Sequence, residues 1–473
     1  MAAFFKARAV DTYAVGGFVR DGLLERDFND LDVGVAADPM ELASGVADEF
    51  GGSFFPLDEE RRLVRVLLPE AGVHIDLQPL KGSIEEDLTT RDFTVDAMGA
   101  ALAEAASGRI KLIDPTGGLA DLQSGIVRAV SEANLIEDPL RLLRGVRLAV
   151  ALGFGIDSET DEMLRRNAQL VSQAAPERQR DELMLILGSS KAGFGLSMMD
   201  EMGMLSVVLP ELDVTRGVQQ PKEHHWDVFN HSLQTVGAME MLLAPEEPED
   251  DMHGWLWRDL WTQLAWWPEA RSQFSGERGT ALKMACLMHD IGKPETKSFQ
   301  EDGRMRFFGH AEAGAAIAGK AMQRLRFATR QTAAVTAMID GHMRPLQMAQ
   351  QGAPTGRAIY RFFRDTGGAG ADTLFLSLAD HLAAVGPRVS REGWHRHVAI
   401  VSYILRKASE DRAVISPPRL IGGDDLMVEL GILPGREVGK ILEMIREGQA
   451  AGEVRSREDG LRLARQYLEK SAD

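Results

Sequence analysis

The sequence has little cysteine, no long apolar run and no excess of positive charge. Its 473 residues include one cysteine, Cys286, which excludes an internal disulfide and a zinc site built on cysteines. No apolar run approaches the roughly 18 residues that a membrane-spanning helix needs, and the N-terminus has no signal-peptide core. We therefore expect a cytoplasmic protein without a membrane partner. The formal net charge of −18 is atypical of proteins that coat nucleic acid non-specifically, because Lys and Arg supply most of that affinity.

The length and the change of pattern along the chain predict an α+β multidomain protein. A chain of 473 residues is too long for one core and predicts three or four domains. Sheet patterns stop near Arg128, where helical periodicity begins. We expect a small mixed-sheet head over residues 1–127, an all-helical neck over 128–205, a helical domain over 206–410 and a short helical tail over 411–473.

The N-terminal stretch AVGGFVRDGLLERDFNDLDVGV (14–35) combines glycines with charged residues. Gly16 and Gly17 follow a short apolar strand, and glycine lets backbone N–H groups approach a bound phosphate closely. Arg20 and Asp21 come directly afterwards. The stretch therefore predicts a phosphate-binding turn.

Two carboxylates begin the next predicted strand. Asp30 and Asp32 alternate, so both side chains point to one face of the strand. Asp76, in a later strand (VHIDL), is the third candidate. Oxygen donors alone favour Mg²⁺, which keeps several waters and takes further ligands from substrate phosphates. We expect a magnesium-dependent, nucleotide-handling site with these three aspartates as its catalytic residues.

GGFVRD followed by DLD resembles the signature of the polymerase-beta-like nucleotidyltransferases. The resemblance is to the tRNA nucleotidyltransferase and bacterial poly(A) polymerase branch, and it covers most of the chain. It implies that residues 1–127 are a nucleotidyltransferase head. A second family motif resembles TTRDFTVDA, in which Arg91 and Asp92 would contact the triphosphate and ribose. Asp96 stands where the family commonly has asparagine.

The stretch EDPLRLLRGVR resembles the family motif EDxxR, whose Asp and Arg read the incoming base. The matching residues are Asp138 and Arg141, with Arg144 and Arg147 at further three-residue steps, so we expect all four on one helical face. A carboxylate can accept from the amino group of cytosine or adenine while a guanidinium donates to the ring nitrogen. Uracil and guanine would leave buried groups unpaired. Arg144 and Arg147 would hold triphosphate or the RNA end.

The second half carries histidines and aspartates in helix-like contexts, and their order resembles the HD-type metal phosphohydrolases. A set of this kind suits a divalent transition metal. The candidate ligands are His231, His289, Asp290, His310, His342 and Asp380. Between the first two lies a tryptophan-rich insertion, whose roughly helical spacing favours packing over base stacking.

The resemblance implies a nucleotidyltransferase that adds C and/or A, from CTP and ATP, to the 3′ end of tRNA. An alternative is a poly(A) polymerase, or an enzyme restricted to CC or to A addition. An alternative of another class is an RNA-end phosphohydrolase whose N-terminal half only binds RNA, although an intact Asp30 and Asp32 count against it. Alarmone synthetases join the same two modules in the opposite order. A glutamine-sensing uridylyltransferase would need C-terminal repeats for which this tail has no room.

Overall fold

A computed structural model describes residues 1–27, 30–70, 72–105, 111–350, 352–410 and 412–472. Phe28 and Asn29 of the first motif, and Asp411 at the expected start of the tail, lie outside the described residues. The chain divides into two compact units. Unit 1 comprises residues 1–186 and 198–208, and unit 2 comprises 187–197 and 209–473.

In the described part of unit 1, seven strands form one mixed sheet. Its order is β3-β4-β5-β2-β1-β6-β7. The strands are β1 Thr12–Val15, β2 Asp30–Val35, β3 Ser53–Asp58, β4 Leu63–Leu68, β5 Val73–Pro79, β6 Gly99–Ala101 and β7 Leu112–Ile113. β2 and β5 pair in parallel, whereas the other neighbours are antiparallel. The mixed-sheet head expected from the sequence is therefore confirmed.

Helices surround this sheet and continue into the neck. They are α1 Ala2–Ala7, α2 Gly17–Leu23, α3 Pro39–Phe50, α4 Ile84–Thr89, α5 Leu102–Ala105, α6 Gly118–Ser124, α7 Glu132–Glu137, α8 Leu140–Leu152, α9 Ser158–Asn167, α10 Pro176–Gly188, α11 Ala192–Glu201 and α12 Met204–Val208, with a parallel strand pair β8 Ile126–Val127 and β9 Gly155–Ile156. Local chemistry sets the ends of α3. Asp38 caps its first turn by accepting from the Met40 N–H, and Gly51 ends it in the left-handed conformation.

Helix α8 packs closely on the second family motif. Phe93 is fully buried, and a Cβ built on Gly145 of α8 would lie only 2.8 Å from its ring. Backbone bonds from Thr94 N–H to Arg128 and from Val130 N–H to Asp92 hold the same segment. The missing side chain at Gly145 therefore lets the neck helix approach the motif.

Unit 2 is helical apart from one hairpin. Its remaining elements are α13 Val228–Leu243, α14 Asp251–Gln263, α15 Ala270–Gln273, α16 Gly276–Met288, α17 Lys293–Thr296, β10 Lys297–Phe299, β11 Met305–Phe307, α18 His310–Arg324, α19 Thr329–Gly341, α20 Arg344–Ala349, α21 Gly356–Thr366, α22 Gly370–Val385, α23 Arg391–Glu410, α24 Arg412–Ile415, α25 Gly423–Leu430, α26 Arg436–Ala450 and α27 Arg457–Ala472. None of the helices described is both long and apolar enough to cross a membrane.

The tryptophan-rich insertion forms α14, α15 and the segment between them. Its indole N–H groups donate to neighbouring structure: Trp257 to Ala244 O at 3.0 Å, Trp261 to Leu242 O at 3.1 Å and Trp266 to Ser402 Oγ at 3.0 Å. Rings that satisfy their N–H groups in this way are packed against the unit. The packing expected for these tryptophans is confirmed.

Gly145→Ala tests the close approach of α8 to Phe93. A methyl group 2.8 Å from a fully buried ring overpacks the contact, so we expect unit 1 to lose about 1–3 kcal/mol of stability. The matched control is Gly439→Ala in α26, where a Cβ would meet no atom within 4 Å. That change should stabilise unit 2 by about 0.5–1 kcal/mol through helix propensity. Calorimetric unfolding measures both, and an unchanged Gly145→Ala transition would contradict the packing.

Candidate active site and metal centre

Three carboxylates, those of Asp30, Asp32 and Asp76, lie beside one another on one face of the sheet, and we call them the carboxylate row. Asp32 of β2 is the direct cross-strand partner of Asp76 of β5, and Asp30 lies two residues before Asp32 on the same face. Burial, followed by the charge of Asp76, raises the pKa of Asp32 to about 6. Asp30 differs because its side chain is 59% exposed. The row is therefore buried at one end and open to solvent at the other.

The donor set of this row fits a hard divalent cation. Like charges this close are unfavourable without a positive charge between them, and the three aspartates offer only oxygen donors. The exposed end at Asp30 leaves room for the waters that Mg²⁺ retains. The strand geometry expected from the sequence is confirmed, while metal binding by Asp30, Asp32 and Asp76 stays a prediction.

The glycine turn lies against this row. Gly16 has φ +68°, and a Cβ there would lie 3.0 Å from Arg91 Nη1 and 3.6 Å from Asp32 Oδ2. A side chain would thus fill the space between a guanidinium and a carboxylate of the row. Arg91 is held by Asp87 at 3.2 Å, and its buried Nε donates no hydrogen bond among the described residues. The turn leaves space, and an unused donor, for an anionic group.

Asp96 forms a buried ion pair with the first motif. Arg20 donates to Asp96 Oδ1 at 2.5 Å and to both oxygens of Asp21 at 2.9 and 2.8 Å. Asp96 is 6% exposed, and burial raises its pKa despite the opposing effect of Arg20. Asp96 therefore fixes the position of the Arg20 side chain. Gly17 leaves room for this guanidinium, because a Cβ at Gly17 would lie only 3.4 Å from Arg20 Nη2.

Asp138 lies outside α8, so the expectation that it shares a helical face with the three arginines is wrong. Its backbone is extended (φ −132°, ψ 94°), because Pro139 disfavours the helical conformation in the residue before it. Asp138 accepts two bonds from Arg178, at 3.1 and 2.8 Å, and one from Arg61 at 3.1 Å. Burial opposes its charge, but these arginines outweigh burial and lower the pKa of Asp138 to about 2.

Arg141 is fixed by backbone carbonyls. Its Nη1 donates to Thr90 O at 3.0 Å and to Asn134 O at 2.8 Å. Asn134 also donates to the Arg91 carbonyl at 2.7 Å. These bonds link the EDxxR segment to the loop that carries Arg91 and set the direction of the Arg141 guanidinium.

The other two arginines of α8 form ion pairs inside unit 1. Arg144 Nε lies 2.9 Å from Asp92 Oδ2, and Arg147 Nε donates to Glu182 at 2.6 Å. Asp92 is buried, and although burial opposes its charge, Arg144 and Arg141 lower its pKa. In this structure Asp92 and Arg144 therefore join the head to the neck, and Arg147 pairs within the neck. Their expected contacts with nucleotide or RNA stay predictions.

The six candidate ligands of the second half come together in unit 2. Ligand atoms within 4.8 Å of one another form three overlapping groups: His231, His289 and Asp290; His289, His342 and Asp380; and Asp290, His310 and His342. Five of the six residues are buried, and the Asp380 side chain is 17% exposed. Because Asp290 belongs to two of the groups, the arrangement suits two adjacent ions. Asp380 lies at the more accessible side of the centre.

Backbone carbonyls orient three of the histidines. Each lies close to a carbonyl three residues earlier: His289 Nδ1 to Cys286 O at 2.9 Å, His310 Nδ1 to Phe307 O at 2.7 Å and His342 Nδ1 to Ile339 O at 2.6 Å. A carbonyl only accepts, so each Nδ1 donates and each Nε2 points inward as a potential ligand. Nε2 atoms of His310 and His342 lie only 3.3 Å apart. Two inward lone pairs at that distance fit a cation between them.

Two residues next to this centre, Lys293 and His224, were not predicted from the sequence. Lys293 Nζ lies 2.5 Å from Asp290 Oδ2 and donates to Gln220 at 2.6 Å, and in the sequence it lies only three residues after Asp290. His224 lies with its ring 5.6 Å from that of His231, and burial, followed by Lys293, lowers the pKa of His224 to about 4. The adjacent pair His224-His225, seven and six residues before His231, was the available signal.

Family models match three consecutive parts of the chain. The poly(A) polymerase head domain matches residues 12–128, a probable RNA- and SrmB-binding site of polymerase A matches 153–215, and the HD domain matches 228–385. The first contains the carboxylate row and the third contains the histidine centre.

Curated relatives match nearly the full length. A CC-adding tRNA nucleotidyltransferase of Thermus thermophilus is 36% identical over 95% of this chain and 92% of its own. The chain belongs to the tRNA nucleotidyltransferase family. An A-adding tRNA nucleotidyltransferase of Deinococcus radiodurans is 34% identical over 97% of this chain and 95% of its own. The family resemblance of the sequence is confirmed, and the chain is a nucleotidyltransferase with an HD domain.

Solved structures of the family share the fold. A Thermotoga maritima CCA-adding enzyme complexed with tRNA superposes with a TM-score of 0.58 at 18% identity, over 98% of this chain and 93% of that one. An apo form of a CCA-adding enzyme gives a TM-score of 0.62 at 18% identity, over 98% and 91%. The α+β architecture expected from the sequence is therefore that of tRNA nucleotidyltransferases.

The shared position of Asp290 predicts the metal content of its variants. We expect two transition-metal ions per chain at saturation, at most one for Asp290→Asn and near zero for His289→Ala/Asp290→Ala, because the single variant leaves the group of His289, His342 and Asp380 intact whereas the double variant removes a ligand from all three groups. Elemental analysis after Mn²⁺ or Co²⁺ loading measures this. His253→Ala, at an exposed histidine away from the groups, is the control. Equal metal content in Asp290→Asn and wild type would exclude the centre.

Proposed function

We propose that the protein transfers cytidylate or adenylate from CTP or ATP to the 3′ end of tRNA, releasing pyrophosphate. The observation that carries the proposal is the pairing of Asp32 with Asp76, beside Asp30 and the Gly16 turn. A bound Mg²⁺ would supply the positive charge that acidifies the attacking 3′ hydroxyl and stabilises the triphosphate. The names of the relatives support tRNA as the substrate.

The residues around the row bind and orient the nucleotide. Gly16 leaves space for the triphosphate beside Arg91 Nη1, and Gly17 leaves space for the Arg20 guanidinium next to it. Arg20, in the last turn of the short helix α2, is held by Asp21 and Asp96 in a fixed position beside the turn. Nucleotide transfer by this arrangement would need no side-chain general base.

Asp138 and Arg141 read the base. Asp138 accepts two bonds from Arg178, one from Arg61 and one from the Leu140 N–H, which together fill its roughly four lone-pair sites. The Arg61 side chain is 58% exposed, so an incoming amino group would take the acceptor position that Arg61 uses here. Arg141 uses Nη1 on two carbonyls and retains donors at its other nitrogens for a ring nitrogen. The fixed directions of both groups favour C and A over U and G.

Relatives that add CC and relatives that add A match this chain about equally, at 36% and 34% identity.

Two tRNA transcripts separate the possibilities within the family. One ends at the discriminator base and the other ends in CC, and each is incubated with CTP, ATP or both. Extension of the first by CTP without extension of the second by ATP marks a CC-adding enzyme, and extension of only the second by ATP marks an A-adding enzyme. Extension of the first by CTP and of the second by ATP marks an enzyme that adds the whole CCA end. Long A tails on either transcript would mark a poly(A) polymerase.

Asp30→Ala and Asp32→Ala should each lower nucleotide addition by at least about a thousandfold, roughly 4 kcal/mol of barrier, because each removes charge from the proposed metal site. The fold should persist, since neither side chain is part of the apolar core. The measurement is single-turnover extension of the two transcripts, with circular dichroism as the folding check. Asp48→Ala, at an exposed aspartate of α3, should leave addition unchanged. Near-normal addition by either variant would place the active site elsewhere.

We further propose that the histidine centre is a second, independent active site that hydrolyses phosphate esters. The buried ligand groups and their carbonyl-oriented histidines suit a transition metal whose bound water would be acidic enough to act near neutral pH. Lys293 and His224 line the same centre and would face a phosphate. A substrate consistent with the first activity is a 2′,3′-cyclic or terminal phosphate at a tRNA end, because nucleotide addition needs a free 3′ hydroxyl.

The double variant His289→Ala/Asp290→Ala should lose metal-dependent hydrolysis of such RNA ends and retain nucleotide addition within a few-fold. The reason is that both residues belong to the histidine centre of unit 2, whereas the carboxylate row belongs to unit 1. Phosphate release and transcript extension are measured on the same preparations, with His253→Ala as the control. Wild-type rates of hydrolysis by the double variant would refute the second activity.

A further inference from the structure

Arg65 extends the carboxylate row onto a third strand. It is the cross-strand partner of Asp76 on β4, as Asp32 is on β2, and β5 lies between these two strands. Arg65 Nε donates to Asp76 Oδ1 at 2.8 Å and Nη2 donates to Oδ2 at 2.7 Å. The same Nη2 lies 3.9 Å from Asp30. Asp76 therefore has a guanidinium on one side and Asp32 on the other.

This arrangement leaves Asp76 able to bind a cation. A bidentate guanidinium occupies one lone-pair position on each carboxylate oxygen, and about two of the four positions remain. Because Arg65 approaches from β4, the remaining positions are directed toward β2, where Asp32 lies. Asp76 is 8% exposed, so few water molecules compete to orient it.

We propose that Arg65 is a positioning residue that holds Asp76 in the orientation needed for divalent-ion binding by the transferase site. The proposal rests on the metal site proposed above for Asp30, Asp32 and Asp76. Arg65 acts through Asp76 and contacts neither nucleotide nor RNA in this role.

Two opposing effects decide the expected direction. The charge of Arg65 repels a divalent ion about 6 Å away, and in the near-bulk dielectric expected where Asp30 opens to solvent, with screening by physiological salt, this weakens binding by roughly threefold. Loss of a hydrogen-bond partner that orients a metal ligand typically costs about 10–100-fold in affinity. Positioning therefore outweighs repulsion, and removing Arg65 should weaken ion binding by about tenfold.

The test compares Arg65→Gln and Arg65→Lys in the full-length protein. Mn²⁺ binding is titrated by electron paramagnetic resonance in a His289→Ala/Asp290→Ala background, which removes a ligand from every group of the centre in unit 2. Arg65→Gln should raise the Mn²⁺ dissociation constant about tenfold, and Arg65→Lys should fall between it and the parent because lysine keeps the charge without the two-pronged geometry. The control is Arg62→Gln, which makes the same change at an arginine that pairs with Asp38 instead.

A second readout is extension activity as a function of Mg²⁺. Arg65→Gln should need about tenfold more Mg²⁺ for half-maximal rate, with the nucleotide KM at saturating Mg²⁺ unchanged. Mn²⁺ binding by Arg65→Gln that equals or exceeds that of the parent would overturn the inference. If the parent itself shows no Mn²⁺ binding that Asp32→Ala abolishes, the proposed metal site fails and the inference fails with it.

Discussion

The parallel pairing of β2 with β5 is the constraint on which the transferase half depends. Leu31 opposes Ile75 and Val33 opposes Leu77, and these four side chains are buried on the face opposite the carboxylates. A slip of one residue would move this apolar set to the polar face. The free energy of burying the apolar face therefore fixes the register that brings Asp32 beside Asp76. Catalytic geometry here is a by-product of core packing.

The histidine centre is fixed differently, by backbone acceptors at helix ends. His289 and His342 follow the last residues of α16 and α19, and His310 is the first residue of α18. Each ring nitrogen Nδ1 is bound to a carbonyl on its own local turn, so each imidazole direction is set within a few residues. Tertiary packing then has only to bring the helix ends together.

Periodicity and local chemistry allowed much of the head to be predicted. β4 buries every second residue, so its sequence shows the two-residue period, whereas β2 and β5 each bury three consecutive residues. Helix α3 carries both of its end signals. β3 was missed because its first five residues are all exposed and no alternation results. The extended backbone of Asp138 follows from Pro139, and applying that rule would have placed Asp138 before the helix.

The partners of the site residues were less predictable. Arg61, Arg65 and Arg178 contact Asp138 or Asp76 across strands or from distant helices, and an isolated arginine in a strand or loop has no pattern that names its partner. The buried pairing of Asp96 with Arg20 spans 76 positions of the chain. Such contacts depend on the sheet order, which the strand patterns alone do not determine.

The two centres differ in donor chemistry, and the difference would direct different metals to them. The carboxylate row offers only oxygen donors and is open at Asp30, whereas the other centre offers four buried histidines, including the fully buried His231 and His289. Hard, strongly hydrated Mg²⁺ favours oxygen ligands and retained water, and imidazole favours transition metals. Because the two donor sets prefer different ions, loss of the ion proposed for one centre, or mutation of its ligands, should leave the other centre unchanged, although an ion that accepts both kinds of donor, such as Mn²⁺, can load both. A chain with one kind of donor set at both places would have no such independence, since one abundant ion would occupy both.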